Sequence, residues 1–226
     1  MTNYAENVTV PVVTIDGPGG AGKGTVASAI AAAKGWHLLD SGALYRIIAV
    51  AGLAQNIALD DAQALVEMAK GLEISFAHEQ VHVNGENFTD AIRTEDAGNS
   101  ASQVASLPTV RDAIFNLQQG FRRAPGLVAD GRDMGTVVFA DAPVKIFLDA
   151  SAEARAERRY NQLKNNGLGV NLRALLEQIQ ERDARDRERA VAPLKPAKDA
   201  LIIDSTKMTI DEVVATVMAQ ISSKIE

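Results

Sequence analysis

Short apolar runs, most of them continuous rather than alternating, recur along the chain at Val10 to Ile15, Trp36 to Leu39, Gly126 to Ala129, Val144 to Asp149 and Ala200 to Ile203. A continuous run, rather than strict alternation, is how a parallel strand covered on both faces reads. Between these runs the apolar positions fall at helical spacing. Over Lys23 to Lys34 the stripe is Val26, Ala29, Ile30 and Ala33, with Gly35 following as a left-handed cap. Ser151 caps a helix through Ala154 and Arg158. Asn171 caps another, striped by Leu172, Leu175, Leu176 and Ile179. Thr209 or Ile210 opens a last amphipathic helix. Strands alternating with helices predict a three-layer α/β domain.

One region breaks the alternation. Leu72 to Ala77, Val81 to Val83 and Phe88 to Ile92 read as three short strands, with Asn84-Gly85 as a hairpin turn between two of them. They predict a small antiparallel insert. Two helices joined at Pro108 follow, roughly Glu95 to Ala105 and Thr109 to Arg122.

Composition narrows the function classes. The chain has 226 residues, 46% hydrophobic and 23% charged, which suits a folded domain that buries its own core. It has no cysteine. That removes disulfides, thiolate zinc sites and cysteine nucleophiles, and fits a reducing compartment. A net charge of −6 and 4% aromatic residues argue against a nucleic-acid polymer as partner. A small anion held by a local basic cluster stays open. No basic leader precedes an apolar run and no stretch approaches the roughly 18 apolar residues of a membrane span. A cytoplasmic protein without membrane contact is the expectation.

Candidate chemistry begins at Gly17-Pro18-Gly19-Gly20-Ala21-Gly22-Lys23-Gly24-Thr25. The pattern follows an apolar strand ending at Asp16 and opens a helix, the setting of a phosphate-binding loop. Its glycines let backbone N–H groups turn toward phosphate oxygens, the helix N-terminus adds partial positive charge, and Lys23 reaches the terminal phosphates. Gly24 stands where such loops usually carry Ser or Thr, and Thr25 comes one place later. Direct magnesium ligation is therefore less secure. The Gly-Lys-Gly-Thr form resembles nucleoside monophosphate kinases more than GTPases.

Further candidates lie at strand ends. Asp40 and Ser41 serve either as helix caps or as ligands, and Arg46 places a cation near a helix N-terminus, a cost that an anion in front of it would offset. Asp130, Arg132 and Asp133 follow the apolar strand at 126–129, where open α/β sheets bind ligands. An Arg132–Asp133 ion pair is the plainer reading of the last two. Glu181 to Arg189 is the most charged stretch, and a solvated helix laced with ion pairs is its plainer reading. Yet Arg182, Asp186 and Arg189 share one face at i, i+4 and i+7. Arg158 and Arg159 precede a glycine- and asparagine-rich stretch suited to a flap. His78 and His82 have zinc-like spacing, but on strands rather than a helix.

The segments Gly17 to Thr25, Asp40 to Arg46, Ala129 to Ala142 and Arg182 to Thr206, including Arg189-Ala190-Val191-Ala192-Pro193-Leu194, together resemble the bacterial-type cytidylate kinases of the nucleoside monophosphate kinase family. Only Gly19 and Ala140 depart in a minor way. The resemblance implies a P-loop nucleoside monophosphate kinase fold: an α/β, five-stranded parallel sheet of order 2-3-1-4-5, flanked by helices and carrying a small antiparallel β insert. It implies a core of residues 1–60 and 108–226, a lid at about 155–172, and a monophosphate-binding domain at 61–107. It implies ATP-dependent phosphorylation of CMP and dCMP, with Mg2+ contacted by Thr25 and Asp130, directly or through water. Ser41, Ser102, Arg111 and Asp133 stand where the family contacts cytosine. Arg46, Arg132 and Arg189 stand where it holds the monophosphate, and Arg182 and Asp186 where it meets the sugar. Lys23, Arg132, Arg189, Arg158 and Arg159 are the expected catalytic charges. A monomer is expected. The alternatives are a kinase for UMP or AMP, and a regulatory module that binds ATP without turnover.

Overall fold

A computed structural model describes residues 10–77, 80–165, 169 and 171–225. In chain order, β1 (Val12–Asp16) leads through the glycine loop into α1 (Lys23–Lys34), followed by β2 (His37–Asp40), α2 (Ser41–Ala54) and α3 (Ala62–Lys70). The meander β3 (Ile74–Ala77), β4 (Gln80–Val83) and β5 (Glu86–Asn87) comes next, then α4 (Glu95–Val104) and α5 (Pro108–Gln119). The second half runs β6 (Leu127–Gly131), β7 (Val144–Asp149), α6 (Ala152–Asn165), α7 (Leu172–Glu188), β8 (Leu201–Asp204) and α8 (Ile210–Lys224).

The main sheet is parallel, in the order β2-β6-β1-β7-β8. Numbered among themselves in chain order, its strands read 2-3-1-4-5, as expected. The mostly apolar character of the central strands is explained by helices on both faces. Val12, Leu127 and Ala129 join a cluster with Leu44, Ile48, Val104 and Ile114. Their neighbours Val13, Ile15 and Val128 point the other way, to Val26, Ile30, Val213 and Val217. The two edge strands are covered less well than their sequence suggests: Leu38 and Ile202 are exposed.

Local chemistry sets most element ends. Asp40, Asp61, Thr94, Asn171 and Thr209 each accept a first-turn N–H with a side-chain oxygen, and Pro108 occupies the first turn of α5. Ser151 Oγ likewise accepts Ala154 N–H at 3.2 Å. Thr209 and Glu212 form a reciprocal capping box. The α1 stripe differs from the expected one: Val26, Ala27, Ile30 and Ala31 are buried and Ala33 is exposed. In so alanine-rich a helix, contact of Val26 and Ile30 with the sheet and α8 selects the face. In α7 the expected stripe buries only Leu175, and Leu172 is exposed.

The insert is a three-stranded antiparallel meander, β3-β4-β5. Asn84 and Gly85 both take positive φ, 51° and 82°, as a tight hairpin turn demands. Its Val81 and Val83 pack with Ile92 against Ala43 and Ile47 of α2. The strand expected at Phe88 to Ile92 is corrected: β5 is Glu86–Asn87, Phe88 N–H makes one more bond to the Val81 carbonyl at 2.8 Å, and the chain then turns into a short 3-10 helix, Ala91–Arg93. Asn87 Oδ1 accepts Thr89 N–H, and Thr89 Oγ1 takes the Val81 N–H that a continuing strand would use. These side-chain bonds replace the ladder. His82 lies on β4, and His78 lies outside the described residues. Helix α3 lies where the apolar pattern marks no element.

Candidate active site

The glycine loop lies at the carboxyl end of β1, the central strand. Gly17 is irreplaceable there: its φ is 151° and a Cβ would sit 2.0 Å from the Leu148 carbonyl oxygen. Gly20 and Gly22 also take positive φ, 80° and 95°. Helix α1 has Gly22 at its N-cap and no side-chain cap, unlike the six helices capped above. Its first N–H groups and the positive end of its dipole face the loop. Lys23 is buried, and its Nζ donates to the Pro18 carbonyl at 2.9 Å, reaching back across the loop.

An open cavity lies over this loop. Lys23, Gly24, Thr25, Asp130, Arg158 and Arg159 are among its walls. Arg158 Nη2 donates to the Ser205 carbonyl at 2.5 Å, and Arg159 pairs with Glu95 at 2.5 Å. Beside it lies a second, smaller cavity, lined by Ser41, Arg46, Ser102, Arg111, Asp133 and Arg189 among others. The two share Gly42, Arg46, Arg132 and Arg182 as a common wall. The smaller cavity carries five arginines against two aspartates, in a chain whose net charge is −6. Such an excess of cations suits a multiply charged anion.

The most charged segment is not a solvated lattice. Asp186 is only 3% exposed. It accepts Ser102 Oγ at 2.6 Å and Arg132 Nε at 3.1 Å, tying α7 to α4 and to the chain after β6. Burial pushes its carboxyl up, but Arg132, Arg182, the Ser102 hydrogen bond and Arg189 outweigh burial and hold it below the usual range. The simple Arg132–Asp133 pair is likewise replaced. Arg132 goes to Asp186, while Asp133 pairs with Arg111 in a buried contact and stands 3.9 Å from Arg189. Arg182 Nε and Arg189 Nη2 are buried without a hydrogen-bond partner among the described residues. Burial, then the neighbouring Arg132 charge, lowers Arg182 to about 10. An anion in the cavity would satisfy such donors.

Ser41 accepts Gln118 Nε2 at 2.9 Å, and the Arg111 guanidinium lies 5.8 Å from the Tyr45 ring centre. Gln118 and Tyr45 escaped the sequence reading, as did Arg155. Arg155 donates to the Gly19 carbonyl at 3.0 Å and pairs with Asp183, joining the glycine loop to α6 and α7. Its position three and four residues before Arg158 and Arg159 is the signal that marks it. The lid expected at 155–172 is described through Asn165, at residue 169 and from Asn171 onward; the rest lies outside the described residues.

Asp130 lies 3.8 Å from Lys23. Burial raises the Asp130 carboxyl, with Lys23 pulling it down. Burial also lowers Lys23, to about 8, helped by the Arg132 charge. A lysine and a carboxylate each desolvated at the mouth of a phosphate loop are groups that bound charge would restore. Thr25 offers an exposed hydroxyl in the same cavity. One carboxylate and one hydroxyl fit a hard cation that takes its other oxygens from phosphates and water. Among the described residues no cluster of three or more His, Cys, Asp or Glu side chains could hold a metal, and no helix is long and apolar enough to cross a membrane.

Comparison with known proteins gives a consistent result. The cytidylate kinase family model matches residues 13–223. The chain is 60% identical over 213 residues to the cytidylate kinase of Aeromonas salmonicida (strain A449), covering 92% of this chain and 93% of that one. It is 58% identical over 218 residues to the cytidylate kinase of Pseudomonas paraeruginosa (strain DSM 24068 / PA7), covering 94% and 95%. Among solved structures, an uncharacterized protein from Eubacterium ventriosum superposes with a TM-score of 0.50 at 12% identity, over 95% of this chain and 99% of that one. That last likeness concerns the fold alone.

Proposed function

The chain belongs to the cytidylate kinase family, and we propose that its two joined cavities are the donor and acceptor halves of one phosphoryl-transfer site. The reaction is ATP-dependent phosphorylation of CMP and dCMP to the diphosphates. The observation that carries the site assignment is the shared wall of Arg46, Arg132 and Arg182. A terminal phosphate delivered by the glycine loop and a monophosphate in the smaller cavity would meet at that wall. UMP or AMP as the preferred acceptor, and an ATP sensor without turnover, are not favoured. A sensor has no use for a second, arginine-lined cavity.

Each residue then has a task. Gly17 to Thr25 wrap the triphosphate, and Lys23 balances charge on its outer phosphates. Arg46, Arg132 and Arg189 hold the acceptor phosphate, whose oxygen is already a nucleophile and needs no general base. Arg158 and Arg159 leave their present partners to reach the transferred group. Catalysis is positioning plus electrostatic stabilisation in a site that excludes water. Thr25 and Asp130 are the residues that would hold magnesium, directly or through water. When bound, the ion neutralises charge on the phosphate oxygens.

Ser41, Ser102, Arg111 and Asp133 read the base. Cytosine offers an amino donor and two acceptors, N3 and O2. An ionised carboxylate accepts at several lone pairs, so Asp133 takes the amino group while keeping Arg111, which donates to the acceptors. Uracil would leave a buried group unpaired. Asp186 and Arg182 hold the sugar. The monophosphate-binding unit is residues 61–107, with the remainder as core and the lid at about 155–172. A coupled ADP-release assay over the common ribo- and deoxyribonucleoside monophosphates tests the reading. CMP and dCMP should lead, UMP follow and AMP and GMP trail; equal kcat/KM for CMP and AMP would overturn the acceptor assignment.

A further inference from the structure

Asp16 is the last residue of β1, next to the first glycine of the loop, and neither the donor nor the acceptor reading uses it. It is 3% exposed. In the parallel register it lies opposite Gly131, the last residue of β6. Three and four residues further on, its carboxylate catches the chain again. Oδ1 accepts Met134 N–H at 2.8 Å and Oδ2 accepts Gly135 N–H at 2.7 Å. The residues between the two anchor points are Arg132 and Asp133. The site's phosphate contact and base contact therefore form a two-residue bridge that starts opposite Asp16 in the sheet and ends on its carboxylate.

Two further observations show that the bridge is built for this. Gly135 approaches so closely that a Cβ would stand 2.7 Å from Thr14 Oγ1 and 3.3 Å from Asp16 Oδ2. Beyond it, the Asp133 carbonyl accepts Val137 N–H at 2.9 Å and Val138 N–H at 3.2 Å, so the backbone of Asp133 is fixed from the far side as well. The carboxylate occupies a costly place. Burial raises it to about 7, with the Gly135 N–H pulling it down. A neutral residue could pack there without that cost, but it could not accept both N–H groups.

We propose that Asp16 is a positioning residue that locks Arg132 and Asp133 over the acceptor, and thereby sets discrimination between cytosine and uracil from the donor side of the sheet. The proposal rests on the reading of Asp133 as a base contact. The same carboxylate adjoins Gly17, so the donor loop and the acceptor bridge share one anchor.

The test compares Asp16→Asn, Gly135→Ala, Asp133→Ala and the Asp16→Asn/Asp133→Ala pair, with CMP, UMP and ATP each varied and melting curves recorded. An amide keeps the shape but offers one acceptor oxygen, so one N–H meets an NH2 group. Asp16→Asn should lower kcat/KM for CMP by about tenfold or more and narrow the CMP-to-UMP ratio, while KM for ATP moves less than about threefold. Gly135→Ala, which leaves Asp16 in place but displaces its partner, should reproduce that pattern. In the Asp133→Ala background, Asp16→Asn should narrow the ratio no further, since both changes act through one contact. An unchanged ratio in Asp133→Ala defeats the base reading itself. A narrowed ratio in Asp133→Ala but in neither Asp16→Asn nor Gly135→Ala overturns the positioning role alone. A uniform loss for CMP, UMP and ATP with a lower Tm, or failure of both anchor variants to fold, assigns Asp16 to stability and also overturns it.

Discussion

Asp186→Asn separates the two lives of the charged helix α7. Were Asp186 part of an exposed ion-pair lattice, its loss would cost at most about 1 kcal/mol and leave kinetics alone. The structure sets a larger figure. Asp186 is 3% exposed and accepts from both Ser102 Oγ and Arg132 Nε. Asparagine keeps the volume but accepts on one oxygen and turns an NH2 group toward the other donor. One charge-assisted hydrogen bond is lost, worth about 1.5–3 kcal/mol. Spent in the transition state, that is about 10- to 150-fold in kcat/KM for CMP. Spent in the free protein, it lowers Tm by roughly 3–12 °C for a chain of this size. KM for ATP should change far less, because Asp186 lines the acceptor cavity and not the loop cavity. The stability part also carries a sign. The carboxyl is held below its ordinary 3.8, so its contribution is present above about pH 4 and fades as pH falls through the folded value. The Tm gap between parent and variant should close in acid. The assay is a melting curve at several pH values beside kinetics with both substrates varied. A lowered Tm with unchanged CMP kinetics would return Asp186 to the lattice and refute the sugar contact.

Lys23→Met should fold and lose about 10²-fold or more in kcat, because its charge acts mainly in the transition state; near-normal turnover in a steady-state assay would remove the phosphate-loop assignment. Asp133→Asn should narrow the kcat/KM advantage of CMP over UMP, and Tm should fall as well because Arg111 loses its buried partner; an unaltered ratio speaks against base reading. Since Lys23 is lowered to about 8, ATP should raise its proton affinity and draw protons from solution above that pH. Calorimetry in buffers of different ionisation enthalpy measures this, and no buffer dependence would count against a desolvated lysine. Asp16, raised to about 7, binds its proton more tightly when folded than the unfolded chain does. The parent should therefore lose stability as pH rises from about 4 to 7, and Asp16→Asn should gain several degrees of Tm relative to it over that window. A constant gap would show that the carboxyl is well solvated.

Whatever is set within one turn of helix or one strand was legible in the chain before folding. In β1, Val12 faces one helical layer and Val13 and Ile15 the other, so a strand covered on both faces reads as a mostly apolar run rather than an alternation. Gly17 and Gly22 announce the loop because the backbone there takes positive φ, and at Gly17 leaves no room for a Cβ. Asn171 and Thr209 cap their helices through oxygens that reach only their own first turn. Tertiary structure decided everything that depends on a distant partner. Arg182, Asp186 and Arg189 show the same spacing whether they face water or a cavity; Ser102, 84 residues away, makes Asp186 an interior group. Asp16 reads as the end of a strand until Met134 and Gly135 arrive from 118 and 119 residues downstream. Arg155 reads as surface charge until Gly19 and Asp183 close around it. The failed strand at Phe88 and the misplaced stripe on α1 have the same origin. Periodicity records which residues are apolar, but the choice among competing partners belongs to contacts that local spacing does not encode.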